Sequence, residues 1–515
     1  MEKTETKNNK FIIIQIDALP YSTLKRFLDN GSCKFISSLI KKEGYNLHRF
    51  NCGIPTGTSS VQAGIIYGDS LTVPGYRFID KKETKQISFA NPYHAKYIES
   101  TYFSSKKGIL EKGSSYANHF SGGASRSILT MSTIAQKKYI KKRLKEGSLW
   151  LSLFLNPAYL LRVIYFTLAE IVLELAGIIA HPFVRFFTKR KAIFGFRVPL
   201  RKFLMYVILA EIITIGVIRD IKKGVPKIYV TYMGFDDIGH LRRPNSVAAY
   251  FMVRALDRRV KRIYKRTKGK YDFFVLSDHG QVDAVPFRAV NGMTINDFVQ
   301  HCAKDKDFEI PGAPKGLPSK IAAVIKKPFE LFAKSTMKTW REDIRRFVWD
   351  EKEKIFVLDS CSLAHVYFNT SRKRMNLRQI NRKYPALVKK LADNRHIGVV
   401  MAKQGEDIVL LSRGGRMLIK ENSVKKIGKD SLKRFGNEEL LVKQLRDFNR
   451  MRFLGDLVLF GNYENGVAVS FADHVGAHGG IGGDMSWPFF VSKKKYDFSG
   501  VTNAVELHKI FKEYQ

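Results

Sequence analysis

Residues 11–17 read FIIIQID, an apolar run interrupted only by Gln15 that ends on a carboxylate three residues ahead of Pro20. Such a run, bounded by a turn signal, is how a parallel strand covered on both faces reads. It is too short to span a bilayer. Ligand-binding side chains of open α/β sheets gather at the carboxyl ends of such strands, which gives Asp17 a functional position. Capping a helix that begins near Tyr21 is the plainer alternative. The same pattern recurs twice: KIYVTYM at 227–233 runs into GFDDIGH, and YDFFVLSDHGQ at 271–281 ends in a polar cluster. Near the C-terminus a strand-like VAVSFA leads into DHVGAHGGIGGDMSWPFFV. These runs predict an α/β fold with a mostly parallel central sheet flanked by helices.

Between the first two strands lies NCGIPTGTSSVQAGIIYG, residues 51–68. Thr56, Thr58, Ser59 and Ser60 crowd a turn built on Pro55 and Gly57, ahead of a small-residue helical run. A hydroxyl at a loop-to-helix junction sits in the field of unpaired N–H groups, which favours an alkoxide and a bound phosphate. A simple N-cap is the ordinary use of such a residue. The neighbouring clusters weigh against that use alone. Three strands end in Asp, two of the clusters contain His, and His478 stands in a glycine-rich turn. Carboxylates and imidazoles are the ligands of catalytic zinc and related metals, and two such ions can clamp both ends of an in-line phosphoryl displacement. Two catalytic metals at about three protein ligands each need about six ligands, the number available here.

The 515 residues suit one large α/β domain with insertions or two to three ordinary domains. With 45% hydrophobic and 26% charged residues, the chain is globular rather than disordered. Lys and Arg number 88 against 47 acidic residues, a net charge of +41, which predicts an acidic partner: nucleic acid or an anionic membrane surface. The four cysteines, Cys33, Cys52, Cys302 and Cys361, are too scattered for a disulfide framework or a thiolate zinc site and fit a reducing compartment. The polar start MEKTETKNNK carries no signal-peptide hydrophobic region.

Residues 148–187 are the most hydrophobic part of the chain, and FLMYVILAEIITIGVI covers 203–218. Pro157, Arg162, Glu170, Glu174 and Glu211 interrupt these runs, and basic clusters at 137–145, 185–202 and 219–223 flank them. Helices lying in the interface or dipping into the bilayer from the cytoplasmic side fit these flanks better than an odd number of spans. A buried helical hairpin, or a homodimer contact, is the alternative.

QIDALP, PTGTSSVQAGIIYG, FDDIGHLRRP, LSDHGQ and GAHGGIGG, in that order, resemble the alkaline phosphatase superfamily, in particular its type I phosphodiesterase and nucleotide pyrophosphatase branch. VPGYRF at 73–78, SLAHVYF at 362–368 and the basic hydrophobic insertion resemble a bacterial membrane-associated subgroup. The resemblance implies an alkaline-phosphatase-like core at 1–135, 225–302 and 456–515. It implies a hydrophobic helical insertion at 136–224 and a smaller α+β cap at 303–455. It also implies that Thr58 is the nucleophile and forms a phosphothreonine. One divalent ion, zinc or alternatively manganese, would be held by Asp17, Thr58, Asp278 and His279, and a second by Asp236, His240 and His478. Asp237 competes with Asp236 for its role. Ser59 and Ser60 depart from the family pattern and compete with Thr58. Arg243 stands where the family has glycine and could meet a leaving group, while Asn51 and Gln62 could contact phosphate or merely satisfy loop backbone. His365 and His474 read as structural. The implied activity is hydrolysis of a lipid-linked or nucleotide-like phosphodiester, with transfer to an alcohol acceptor as the alternative. A basic nucleic-acid-binding protein is the reading from another class. No specific nucleic-acid reader motif supports it, and the charge gathers around the apolar insertion instead.

Overall fold

The strand Phe11–Ile16 lies between Lys227–Tyr232 and Asp272–Leu276, parallel to both, with Ile12 opposite Ile228 and Phe273. All six of its residues are buried. Its side chains alternate between two apolar layers. Ile12, Ile14 and Ile16 join the helices Ala210–Lys222 and Val247–Thr267 on one face. Phe11 and Ile13 join Thr58–Tyr67 and Val505–Lys512 on the other. The computed structural model describes residues 9–134, scattered positions between 157 and 179, 207–304 and 354–515. The basic stretch at 137–145, the end of the hydrophobic block beyond 179 and most of the Lys- and Pro-rich 303–354 lie outside the described residues.

The central sheet runs Asn46–Arg49, Phe489–Ser492, Asp272–Leu276, Phe11–Ile16, Lys227–Tyr232, Ser114–Tyr116, Arg126–Ile128. Only the pairings made by Phe489–Ser492 are antiparallel. This is an α/β core with a mostly parallel sheet flanked by helices, as the apolar runs predict.

A second, antiparallel sheet runs Ile355–Ser360, Leu363–Phe368, Leu457–Gly461, Ile397–Gln404, Asp407–Ser412, Gly415–Ile419, Val424–Gly428. Leu457–Gly461 sits inside this inserted sheet, although the sequence motifs put the return to the core at 456. The inserted sheet is tied to the VPGYRF loop. Ser360 Oγ accepts from the Tyr76 and Arg77 amides, and His365 Nε2 donates to the Pro74 carbonyl at 3.0 Å. Lys81 Nζ reaches both oxygens of Asp456, which also accept from the Phe368 and Met375 amides.

The second apolar run behaves differently from the membrane-directed reading of 203–218. Its C-terminal part, from Ala210, is a core helix packed under the sheet, with the Glu211 side chain buried against Arg262 at 2.6 Å and Arg259 at 3.8 Å. Partners more than 45 residues away neutralise the charge that seemed to interrupt it. Among the described residues, no helix is long and apolar enough to cross a membrane.

Candidate active site

Three adjacent parallel strands deliver the acidic and imidazole groups from their carboxyl ends. Asp17 follows Phe11–Ile16, and its amide donates to the Tyr232 carbonyl of the neighbouring strand. Pro20, with no side-chain cap, precedes the next helix, so Asp17 is not spent on capping it. Asp278 and His279 follow Asp272–Leu276, and the Ala18 amide donates to Asp278 Oδ1 at 3.2 Å. Asp236 and His240 lie one helical turn apart on Gly234–Arg242, directly after Lys227–Tyr232. His478 arrives from Gly476–Ala477, which pairs antiparallel with the strand Val282–Pro286 beyond LSDHGQ.

Thr58 opens the helix Thr58–Tyr67, whose N-cap is Gly57 with no side-chain cap bond. Its hydroxyl is therefore available. Oγ1 donates to Asp17 Oδ1 at 3.2 Å and lies 3.1 Å from His279 Nε2. Thr56 instead donates to the Gly480 carbonyl at 3.2 Å, and Ser59 and Ser60 are buried in the first helical turn.

The three histidines share one arrangement. Nδ1 of His240 meets the Gly476 carbonyl at 2.8 Å, Nδ1 of His279 the Gly280 carbonyl at 3.0 Å, and Nδ1 of His478 the Thr56 carbonyl at 2.9 Å. A carbonyl only accepts, so each ring carries its proton on Nδ1 and turns a lone pair on Nε2 inward. This is how protein surroundings prepare histidines to ligate metal. The Nε2 atoms of His240 and His478 lie 3.2 and 3.5 Å from Asp236 Oδ1, and that of His279 lies 3.6 Å from Asp17 and 3.4 Å from Asp278. His279 and His478 join the two groups, with ring centroids 4.2 Å apart.

The electrostatics fit divalent cations. Burial, then the neighbouring Asp278 and Asp236 carboxylates, push the Asp17 carboxyl well up. Asp278 Oδ2 is enclosed without a hydrogen-bond partner. Carboxylates this close, with one orphaned oxygen, match the donor set of a hard or borderline cation. At Asp236 burial alone would raise the carboxyl, and it is positive charge facing it, on the His240 and His478 rings or on a cation in their place, that holds it far below its ordinary range. His478 is pushed down by burial and by His279. Asp17, Asp278 and His279 place ligand atoms within 4.8 Å of one another, and so do His240, His478 and Cys361.

The remaining expected contacts serve other ends. Gln62 is fully buried, donating to Gln15, Asn118 and Thr231 and accepting from the His119 amide. Asn51 Oδ1 accepts from the Gly53 amide and from Gln444. Arg243 pairs with Asp283 at 3.2 Å and takes a φ of +78°, a conformation easiest for glycine. All three are thus occupied by protein partners rather than aimed at a substrate. Two residues given no role in the site by the motifs, Gln281 and the structurally read His474, lie beside it. Gln281 Nε2 donates to Asp236 Oδ1 at 3.1 Å, and the His474 ring lies 4.2 Å from that of His240. Gln281 ends the quoted LSDHGQ motif, which was the available signal.

The family model for type I phosphodiesterase / nucleotide pyrophosphatase matches residues 11–327. No curated protein sequence matches the chain. Murine ectonucleotide pyrophosphatase/phosphodiesterase 5 is similar in structure at 9% identity and a TM-score of 0.50, covering 98% of this chain and 94% of its own. Phosphonoacetate hydrolase from Sinorhizobium meliloti 1021, in complex with phosphonoformate, aligns at 11% identity with a TM-score of 0.48, covering 98% and 96%. The alkaline phosphatase PafA aligns at 11% and 0.48, covering 95% and 92%. The chain belongs to the type I phosphodiesterase/nucleotide pyrophosphatase family, a branch of the metal-dependent phosphoester hydrolases of the alkaline phosphatase superfamily.

Proposed function

We propose that the protein hydrolyses a phosphodiester, lipid-linked or nucleotide-like, through a phosphothreonine on Thr58. In this reading one zinc or manganese ion is held by Asp17, Thr58, Asp278 and His279, and another by Asp236, His240 and His478. The observation that carries it is the Thr58 hydroxyl, uncommitted to capping and within 3.2 Å of both Asp17 and His279. Cations bound there supply positive charge that favours the alkoxide and neutralises phosphoryl oxygens. Asp17 accepts the Thr58 hydrogen bond and orients Oγ1, while the N-terminus of Thr58–Tyr67 offers amide dipoles to the phosphate. In-line attack forms the Oγ1–P bond and breaks the bond from phosphorus to the leaving oxygen, which departs as an alcohol or phosphate, so the phosphoryl group on the threonine keeps the substrate's other ester substituent. Water then attacks the same phosphorus and restores the threonine hydroxyl, so two inversions give net retention.

The test is to quench turnover of a chromogenic diester with acid and locate phosphate by peptide mass spectrometry. A phosphoryl group on Thr58, still esterified to the second alcohol of the diester, is expected. A label on Ser59 or Ser60 would reassign the nucleophile, and the absence of any covalent phosphate during turnover would remove the two-step route. Repeating the assay with an alcohol acceptor separates hydrolysis from transfer by product analysis.

We further place this activity at an anionic membrane surface. Large apolar side chains at 161, 164, 165, 168, 171, 172, 175 and 179 are exposed at helical spacing. Tyr159 and Val163 face the other way, into the core. An exposed apolar stripe on a protein of this net charge supports interfacial binding.

A further inference from the structure

Cys361 occupies the two-residue turn between Ile355–Ser360 and Leu363–Phe368, where Ser360 pairs with Leu363. Its φ is +58°, a conformation that glycine adopts freely and cysteine does not. The turn is clamped from both sides. The Phe471 amide donates to the Cys361 carbonyl at 2.7 Å, and the Ser362 amide donates to the His478 carbonyl at 3.0 Å. On one side the buried thiol packs with Ala284 and Ala477. On the other, its sulfur comes within 4.8 Å of one ring nitrogen of His240 and one of His478, and 3.5 Å from His474 Nδ1.

Packing alone would be met by alanine or serine, and the turn by glycine. A clamped sulfur beside two histidines already turned inward on Nε2 has a more specific chemistry. Asp236, His240 and His478 make three ligands, and a tetrahedral cation takes a fourth. We propose that Cys361 is that fourth ligand in the resting enzyme, a thiolate carried to the core site by the inserted sheet, and that it biases this position towards zinc-like ions over manganese or magnesium. Ligation forms a sulfur–metal bond and releases the thiol proton to water. Soft sulfur donors favour zinc and cadmium, whereas manganese and magnesium favour oxygen. The inference rests on the two-metal reading above and adds a ligand from outside the core motifs.

The test uses the full chain, stripped of metal and reloaded with cobalt(II). The wild type should show a near-ultraviolet sulfur-to-cobalt charge-transfer band, lost in Cys361→Ser and kept in Cys52→Ser. Zinc retention against a chelator should fall at least about tenfold in Cys361→Ser, with manganese retention changing far less. Cys361→Ala and circular dichroism control for folding: both variants should remain folded and lose the band. Cobalt uptake without the band, or a band indifferent to Cys361→Ser, overturns the proposal and leaves the two-metal site standing. Failure to take up any divalent ion overturns both.

Discussion

Thr58 Oγ1 stands 3.2 Å from Asp17 Oδ1, joining the first helical turn after PTG to the end of a strand 41 residues earlier. The geometry places the hydroxyl against a carboxylate and an imidazole at once, and Gly57 rather than Thr58 caps the helix. Thr58→Ala should lower turnover of a phosphodiester by at least about a thousandfold, while Thr58→Ser keeps measurable activity, because the step needs an alkoxide at that point. The second cation position, lacking Thr58, should still bind metal in Thr58→Ala. Steady-state kinetics with metal analysis of both variants checks this. Substantial turnover by Thr58→Ala would exclude it as the nucleophile.

The crowding of Asp17 and Asp278 makes a prediction about stability rather than rate. Without a cation, buried carboxylates repel and Asp17 resists ionisation. Chelation should therefore lower the melting temperature, and restored metal at a hundredfold its dissociation constant should add about 2.7 kcal/mol. Asp17→Asn removes the carboxyl that, without a cation, must be neutralised on folding. It should melt higher than wild type in chelator and lower in saturating zinc. Differential scanning fluorimetry of the four combinations tests the crossing, and parallel shifts in both proteins would mean that Asp17 does not face the ion.

The parts of this architecture that could be read from the sequence share a physical cause. FIIIQI, KIYVTY and DFFVL are buried on both faces, so their apolar runs are continuous, and the groups of the site follow each run within a few residues. Ser114–Tyr116 and Arg126–Ile128 extend the same sheet invisibly, because three-residue strands of polar sequence carry no periodicity. Glu211 looked like a break in a hydrophobic run until Arg262 approached from another helix. Cys361 reaches the site on a turn of the inserted sheet, and His474 on the loop just ahead of Gly476–Ala477, placements that local pattern does not encode. Gln62 looked like a phosphate contact because its place on the hydroxyl loop was legible and its partners were not.

Lys81 and Asp456 form a buried pair, with side chains 8% and 0% exposed, that joins the core to the inserted sheet. Burial lowers the lysine and raises the carboxyl, and each partner opposes that cost for the other. Asp456 also accepts the Phe368 and Met375 amides. Asp456→Ala should destabilise by about 3–5 kcal/mol, since it leaves the ammonium with the Lys373 carbonyl but no counter-charge and strips two amides of their acceptor. Lys81→Met with Asp456→Leu should recover part of that loss. Urea denaturation of the single and double variants measures it, and a single-variant loss under about 1 kcal/mol would show that the pair does not hold the two sheets together.

Acid should destabilise the protein through histidines outside the site. Burial lowers His94 and His365 to about 4 from an ordinary value near 6.5. Folding then favours the neutral rings, so their contribution is complete above about pH 6.5 and is lost as pH falls towards 4. Each shift corresponds to roughly 3 kcal/mol. His365→Gln, which can still donate to the Pro74 carbonyl, should flatten the pH dependence of stability by about one proton, or about 1.4 kcal/mol per pH unit. Chemical denaturation of wild type and variant across this range decides it. Superimposable slopes would mean that His365 is protonated in the fold.

The exposed apolar stripe leads to a prediction about where the enzyme works. Leu161 and Leu168 are 65% and 58% exposed, and lie away from the core contacts of Tyr159 and Val163. Placing glutamate at both should leave the melting temperature and the hydrolysis of a soluble diester unchanged, because neither side chain supports the core. Binding to vesicles containing anionic lipid should fall by a factor of ten or more, given that burying one leucine contributes about 1.5–3 kcal/mol and that the new carboxylates repel the surface. Wild-type binding should weaken with added salt and on neutral vesicles, since the protein's +41 charge supplies the long-range attraction. Co-sedimentation measures all three. If Leu161→Glu with Leu168→Glu bound anionic vesicles as tightly as wild type, the stripe would not be the membrane contact, and attraction by basic residues alone would have to account for any binding.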